Sequence, residues 1–167
     1  MFRLTQPGAE WIASQVAAAI HLPPSCPSLL SLEHGFDGSR LPSGFAHDYS
    51  RSVIGQGEVV FGAARDAFRR WAQFDLGWVH VANPTAGIAV GQIVAIQAHT
   101  ATLWSLNFSR VTETVDTPAR FGFLYATTHR HIEEGQERFL IEYDSASGEV
   151  SYTLEAVSRP RHPAARL

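Results

Sequence analysis

From residue 76 almost to the end of the chain, apolar and polar residues alternate with a period of two, and this pattern constrains the fold most strongly. Phe121, Phe123 and Tyr125 share one side of their segment, and Phe139 and Ile141 share one side of the next. One apolar and one polar side per strand is typical of antiparallel sheets. The sequence therefore predicts consecutive antiparallel strands through the second half of the chain.

Two helical segments are predicted ahead of these strands. Residues 7–20 place apolar side chains at helical spacing before Pro23 and Pro24, and residues 58–72 combine an apolar stripe with an arginine-rich opposite side. Residues 22–44 are rich in Pro, Ser and Gly, a composition that favours a partly mobile connector. Because no helix between the strands is long enough for a parallel crossover, the predicted class is α+β, with a curved antiparallel sheet packed on helices.

The composition limits the domain organisation and the classes of function. A chain of 167 residues with 45% hydrophobic residues can bury one core, so we expect residues 1–40 to form a helix and connector and residues 41–167 to form a single α+β domain. The net charge of −3 argues against a nucleic-acid partner, and the absence of lysine excludes a lysine Schiff base. Cys26 is the only cysteine, and no apolar run is long enough to span a membrane, so we expect a cytoplasmic protein without membrane insertion.

The densest polar cluster follows residue 128. His129, His131 and Glu133 would project to one side of an extended chain, and two imidazoles with a carboxylate are ligands that zinc or iron accepts. Because spacing this loose is also common in solvated loops, we predict no metal and no cofactor. His131 with Glu133 or Glu137 could instead form an acid–base pair, although Glu137 could equally be an outward residue of a strand.

Aromatic residues are concentrated on the apolar sides of the predicted strands. They could line a pocket for a small molecule, with a few phenolic hydroxyls to orient it, or they could simply fill the core. The candidates for such a pocket are Trp104, Phe108, Phe121, Phe123, Tyr125, Phe139, Tyr143 and Tyr152. The alternation predicts that the sheet offers all of them to one side.

An ordered set of motifs runs through residues 121–160. It begins with aromatic-Gly-aromatic-x-Tyr, continues with a His and a Gly-x-Glu-x-Phe segment, and ends with an acidic strand, a hairpin loop, an aromatic strand and Ser-x-Pro. The residues at these positions are Phe121, Gly122, Phe123, Tyr125, His131, Gly135, Glu137, Phe139, Glu142, Gly148, Tyr152, Ser158, Arg159 and Pro160. In these motifs, the chain from about residue 41 to residue 167 resembles uncharacterised protein family 0548, a family of unknown function.

The sequence departs from that family pattern at three places. Arg130 stands where the family usually has Gly, Gln136 replaces the first of two Glu residues, and the chain ends at Leu167 where family members usually continue into a long C-terminal helix. The resemblance implies a helix-grip fold, as in START lipid-transfer domains and pollen-allergen-like proteins, in which a curved antiparallel sheet grips that helix around an apolar cavity. With the long helix missing, we expect the helix at residues 58–72 to be insufficient, so that the N-terminal helix or a second copy in a homodimer would cover the aromatic side.

Three functions stay open at this point. The resemblance favours non-catalytic binding of a small apolar or amphipathic molecule in a cavity between the sheet and a helix. An enzyme, for example a hydrolase, that uses His131 with a nearby carboxylate is a less favoured alternative. The third is a structural or interaction module without a ligand.

Overall fold

The computed structural model describes residues 2–161 of the chain. Within this range the elements are, in chain order, β1 (Phe2–Arg3), α1 (Ala9–Ala19), β2 (Ala46–Gln56), α2 (Glu58–Arg69), a short 3-10 turn (Ala72–Phe74), β3 (Val79–Val81), β4 (Ile93–Thr100), β5 (Leu103–Asp116), β6 (Arg120–Thr127), β7 (Glu133–Tyr143) and β8 (Glu149–Pro160). The strands form one antiparallel sheet in the order β2-β8-β7-β6-β5-β4-β3, and β1 pairs with β5 beside this path. The prediction of an α+β fold with a curved antiparallel sheet packed on helices is confirmed.

The last two strands form the predicted hairpin, which also holds the start of α2. β7 pairs with β8 along its whole length, and Gly148 closes the connecting loop with a φ of 76°, a backbone conformation that favours glycine. The backbone N–H of Gly57 donates a 2.8 Å hydrogen bond to the carbonyl oxygen of Gly148. Because Gly57 is the N-cap of α2, this bond fixes where the helix begins over the sheet.

The apolar stripe of α2 packs on one side of the sheet, which we call the inner face. Phe61, Phe68 and Trp71 are buried there against the aromatic residues of β6 and β7. The helix ends at Arg69, earlier than the predicted residue 72, because Trp71 takes a left-handed conformation with a φ of 61°. The Trp71 indole N–H donates to the carbonyl oxygen of Ala86 at 2.9 Å, so tertiary contacts stabilise this break in the helix.

The opposite side of the sheet, the outer face, is covered by the N-terminal part of the chain. Ala19 of α1 packs with Ile93 and Phe108 over β4 and β5. Leu30 and Leu32 of the segment between α1 and β2 are buried against β6, β7 and β8. This segment, predicted as a partly mobile connector, is therefore packed on the sheet, because its leucines supply an apolar side that its Pro, Ser and Gly content concealed.

Polar residues of the outer face bind the backbone of the same segment. The Gln136 side-chain oxygen accepts the N–H groups of Leu29 and Leu30, the latter at 2.9 Å. Arg138 donates to the carbonyl oxygen of Leu32 at 3.1 Å and to the Glu155 carboxylate at 3.0 Å. We call Gln136, Arg138 and Glu155 the outer clamp. It satisfies backbone groups that packing on the sheet would otherwise leave buried without partners.

The aromatic side of the sheet does not need a second copy of the chain to cover it. Phe121, Phe123 and Phe139 lie on the inner face and are almost completely buried within this single chain. Their cover comes from α2 and the following turn, whereas α1 lies on the outer face. Residues 58–72 do not form this cover alone, since Phe74 of the turn extends it over Phe139. The candidates expected to complete the cover were the N-terminal helix and a second copy, whereas here the turn after α2 does so. In the described part of the chain, no helix is long and apolar enough to cross a membrane.

Candidate functional site

The eight aromatic pocket candidates do not share one face of the sheet. Phe108 is completely buried on the outer face with Ile93 and α1, and the Arg130 guanidinium lies 4.6 Å from its ring centre. Trp104 projects to the same side of β5 as Phe108 by strand alternation, and its ring stacks on His99 at 4.3 Å. The prediction of one common side is thus wrong for Trp104 and Phe108, because alternation within a strand does not say which face each strand turns inward.

The six other candidates lie on the inner face, where side chains of α2 and its C-terminal turn fill the space above them. The Phe68 ring lies edge-on to the rings of Phe121 and Tyr152, with centroid distances of 6.2 and 5.5 Å. Phe74 lies 5.3 Å from Phe139. The remaining members of this group are Phe123, Tyr125 and Tyr143. Most of these rings therefore form a packed aromatic core instead of the walls of a large cavity.

At one end of this core, a phenol and a carboxyl group form a hydrogen-bonded pair. Tyr125 and Glu137 are direct neighbours across β6 and β7, and the Tyr125 hydroxyl donates to the Glu137 carboxylate. Burial raises the pKa of Glu137, although the hydrogen bond from Tyr125 acts in the opposite direction. Burial, and then the charge of Glu137, raise the pKa of Tyr125. A partly buried carboxyl group with a raised pKa beside a cleft is a recognised mark of functional sites.

Glu137 lies at the edge of two small cavities on the inner face. One has a volume of about 180 Å³ and is lined by Asp48, Ser50 and Leu154. The other, of about 10 Å³, contains Tyr125, His131 and Glu133 in its walls. We call the two cavities together the inner groove. Burial, and then the charge of Asp48, raise the pKa of Glu133.

His131 is held as a neutral imidazole. Burial lowers its pKa to about 4. Its Nδ1 accepts a 3.0 Å hydrogen bond from the backbone N–H of Glu133, so its proton belongs on Nε2. A general base of the His–carboxylate type needs the carboxylate to receive the other ring N–H, and here a backbone donor occupies Nδ1. His131 therefore lines the smaller cavity as a neutral imidazole that carries its proton on Nε2.

The weak metal candidates are not brought together. His131 and Glu133 line the same small cavity, whereas His129 is exposed and lies outside it. Among residues 2–161, no three His, Cys, Asp or Glu side chains converge in a way that could hold a metal ion. The prediction required an extended chain from His129 to Glu133. The chain instead forms a turn after Thr128, so these side chains do not project to one common side.

The raised pKa of Glu137 predicts a specific dependence of stability on pH. A carboxyl group whose folded-state pKa is raised stabilises the fold below its ordinary pKa of 4.5 and loses that contribution as the pH rises through the folded-state value. We therefore expect Glu137→Gln to melt at a higher temperature than the wild type at pH 8, and the difference to shrink towards pH 4. Thermal unfolding followed by circular dichroism across this pH range measures the difference in melting temperature between the two proteins. A gap that widens towards acid would contradict the assignment.

A larger cleft, of about 640 Å³, lies on the outer face between α1 and strands β3 and β4. Ile12 and Val16 of α1 form part of its wall, and His80 and Gln97 project into it from the strands. Sequence reasoning missed this cleft because its walls come from segments far apart in the chain. The signal that could have pointed to it is Gln97, a single amide in the otherwise apolar run of β4.

The chain is similar to several solved structures with low sequence identity. One is Ara h 8.0201, with 11% identity, a TM-score of 0.45, and coverage of 72% of this chain and 81% of that one. Another is the ginseng major latex-like protein 151 from Panax ginseng, with 11% identity, a TM-score of 0.45, and coverage of 73% and 84%. Neither similarity is strong enough to support an argument about function.

Closer relatives are found by sequence. A UPF0548 protein of Dictyostelium discoideum is 34% identical over 131 residues, which are 72% of this chain and 61% of the relative. A UPF0548 protein of Deinococcus radiodurans is 31% identical over 178 residues, which cover 100% of this chain and 87% of that protein. The matched region thus spans about three fifths of the Dictyostelium relative and most of the Deinococcus one.

A family model agrees with these relatives. The model of the domain of unknown function DUF1990 matches residues 32–167 and so includes part of the segment that packs on the outer face. The UPF0548 relatives confirm the resemblance to uncharacterised protein family 0548. The match to the family model over residues 32–167 shows that the chain belongs to the DUF1990 family.

Proposed function

We propose that this protein binds a small amphipathic molecule in the inner groove without transforming it. The observation that carries the proposal is the hydrogen-bonded pair of Tyr125 and Glu137, which lies between a packed aromatic core and an open cavity. The Tyr125–Glu137 pair can hydrogen-bond to the polar group of a ligand and so fix its orientation. Leu154 and Ala156 would then contact the apolar part of the ligand.

The charges around the groove indicate the polar end of the ligand. Asp48, Glu133 and Glu137 contribute three carboxyl groups to its walls, and His131 is neutral at pH 7. No arginine lines either of its cavities in the described part of the chain. Burial is the main cause of the raised pKa of Glu133, and repulsion from Asp48 adds to it. A cationic group such as a primary amine would relieve this repulsion, whereas a carboxylate would increase it. The groove thus favours amines over fatty acids.

The geometry of His131 supports binding over catalysis. Its Nδ1 is engaged by a backbone N–H, and its low pKa keeps it from holding a proton as a general acid at pH 7. In a binding site, the same features make His131 an uncharged part of the wall, which does not repel a cationic amine by charge. His131→Ala is therefore expected to alter ligand affinity modestly, with no turnover to abolish.

The proposal predicts a selectivity among ligands of one chain length. Decylamine should bind more tightly than decanol, and decanoate should bind most weakly, as measured by isothermal titration calorimetry. Glu137→Gln should weaken decylamine binding by about tenfold or more, because it removes one charge-assisted hydrogen bond. Binding of decylamine should also release a proton from Glu137, so its affinity should rise between pH 5 and pH 8.

A matched control comes from the same strand. Glu142 is also on β7, but its carboxylate faces Arg120 outside the groove at 3.3 Å. Glu142→Gln should therefore bind decylamine as the wild type does. Equal effects of the two substitutions, or a preference for decanoate, would rule out the proposed role of the groove.

A further inference from the structure

We infer that the cleft between α1 and strands β3 and β4 is a second binding site, for a small uncharged molecule with an apolar body and a carbonyl oxygen. The cleft lies on the outer face, with the sheet between it and the inner groove. The inference therefore does not depend on the function proposed for that groove. It rests on three observations: the shape of the cleft, a buried amide without a partner, and the absence of charge in its walls.

The shape of the cleft follows from the residues of α1. Ala9, Ala13 and Ala17 are spaced four residues apart and lie along its open edge, where their small side chains leave the entrance wide. Ile12 and Val16, beside them on the helix, give the cleft an apolar wall. Its volume of about 640 Å³ is within the range of cavities that hold small ligands.

Gln97 supplies the polar contact at the floor of the cleft. Its side chain is only 1% exposed, and its Nε2 is buried and makes no hydrogen bond within the described residues. A buried donor without a partner is costly, so a native structure that keeps one calls for an explanation. If the Gln97 side chain rotates towards the cleft, a carbonyl oxygen bound there would accept this N–H group and remove the cost.

The contrast with Asn83 shows that unpartnered amides are not general in this region. Asn83 also borders the cleft, but its side-chain nitrogen donates to the carbonyl oxygen of Ile93 at 2.9 Å and its oxygen accepts the N–H of Ala95 at 2.8 Å. These bonds tie the segment after β3 to β4 and make this wall rigid. The Gln97 amide thus remains available to bind a ligand.

The walls of the cleft select an uncharged ligand. Within the described range, they contain no Asp, Glu or Arg side chain, and His80 is the one group in them that can carry a charge. A charged ligand group would lose water without gaining a counter-charge, which is unfavourable. The site should therefore prefer a ketone, ester or amide to a carboxylate or an amine, whereas the inner groove is expected to prefer the amine.

The test uses 2-nonanone as a neutral carbonyl probe, with nonanoate and nonylamine as charged counterparts. In nitrogen-15 NMR spectra of the full chain, 2-nonanone should shift the Gln97 side-chain amide resonances, which are assigned by their loss in Gln97→Leu. Nonanoate and nonylamine should shift them much less at the same concentration. Gln97 amide resonances that do not respond to 2-nonanone would overturn the inference.

Two variants with matched controls measure the contribution of the cleft to affinity. Gln97→Leu removes the donor, and Ala13→Trp narrows the entrance, so each should weaken 2-nonanone binding by about tenfold or more. Gln73→Leu also removes a buried amide without partners, but outside the cleft, and Ala18→Trp lies on another side of α1. Both controls should bind 2-nonanone like the wild type. Unchanged affinity in Gln97→Leu, with the variant folded by circular dichroism, would refute the site.

Discussion

Replacing Arg138 with alanine is expected to lower the free energy of unfolding by about 3–5 kcal/mol. Arg138 is 8% exposed and donates to both the Glu155 carboxylate and the backbone of Leu32. Its removal takes the arginine away from the buried Glu155 carboxylate, which keeps only its contacts with His47 and the Phe36 N–H group. It also leaves the Leu32 carbonyl oxygen with only the longer 3.4 Å hydrogen bond from Arg120. Urea denaturation followed by circular dichroism measures the loss.

The exposed pair of Arg51 and Glu149 provides the control for this prediction. These side chains also form a contact between an arginine and a glutamate of neighbouring strands, at 2.8 Å, but on the surface. Arg51→Ala should change the unfolding curve little, because water and salt screen an exposed pair. Limited proteolysis of Arg138→Ala should also cut the chain near Leu32, where the outer clamp holds it. Similar curves for both variants would show that the clamp contributes little to stability.

The second large effect is expected at Gly122, in the middle of β6. A Cβ atom there would clash with the backbone carbonyl oxygen of Phe139 and would lie 3.0 Å from the Cα of Leu140. Because both obstacles belong to the backbone of β7 at the centre of the sheet, they cannot move without breaking the ladder. Gly122→Ala should therefore destabilise the protein by about 4 kcal/mol or more, or prevent folding, by comparison with the largest effects of single substitutions.

Gly62 gives a control with the opposite sign. It lies within α2, its φ is not in the left-handed region, and an added Cβ would meet no atom within 4 Å. Gly62→Ala should stabilise the protein by roughly 1 kcal/mol, since alanine has the higher helix propensity and restricts the unfolded chain. Thermal unfolding of both variants against the wild type makes the comparison. Equal tolerance at the two positions would contradict the close approach of β6 and β7.

The parts of the fold that were predicted correctly depend on local patterns. The alternation through Phe121 and Phe139 identifies strands because consecutive side chains of a strand point to opposite faces. The stripe of α2 is visible because residues three and four apart share a side of a helix. Its early end was not visible, since the break at Trp71 depends on a hydrogen bond to Ala86, fifteen residues away.

The candidate site was predicted in part, for the same reason. Tyr125 and Glu137 were both named, but their pairing follows from the register of β6 and β7, which only the assembled sheet sets. Gln136 was read as the loss of a carboxylate from a site. It instead points to the outer face and binds the backbone of Leu29 and Leu30. Gln136 and Glu137 are consecutive residues of β7 and therefore point to opposite faces of the sheet. The strand register thus decides the role of each residue.

By itself, the sequence determined that this chain forms an antiparallel sheet with two helices, and its motifs determined the family. Both depend on neighbours along the chain, whose spacing is visible without a structure. Only the tertiary structure decided that Phe108 lies on the outer face, that the connector packs there, and that Gln97 projects into a cleft under α1. These features depend on contacts between distant segments. Their geometry is set by the packing of α1 and by strand register, which includes the irregularity between Val111 and Glu113 in the pairing of β5 with β6.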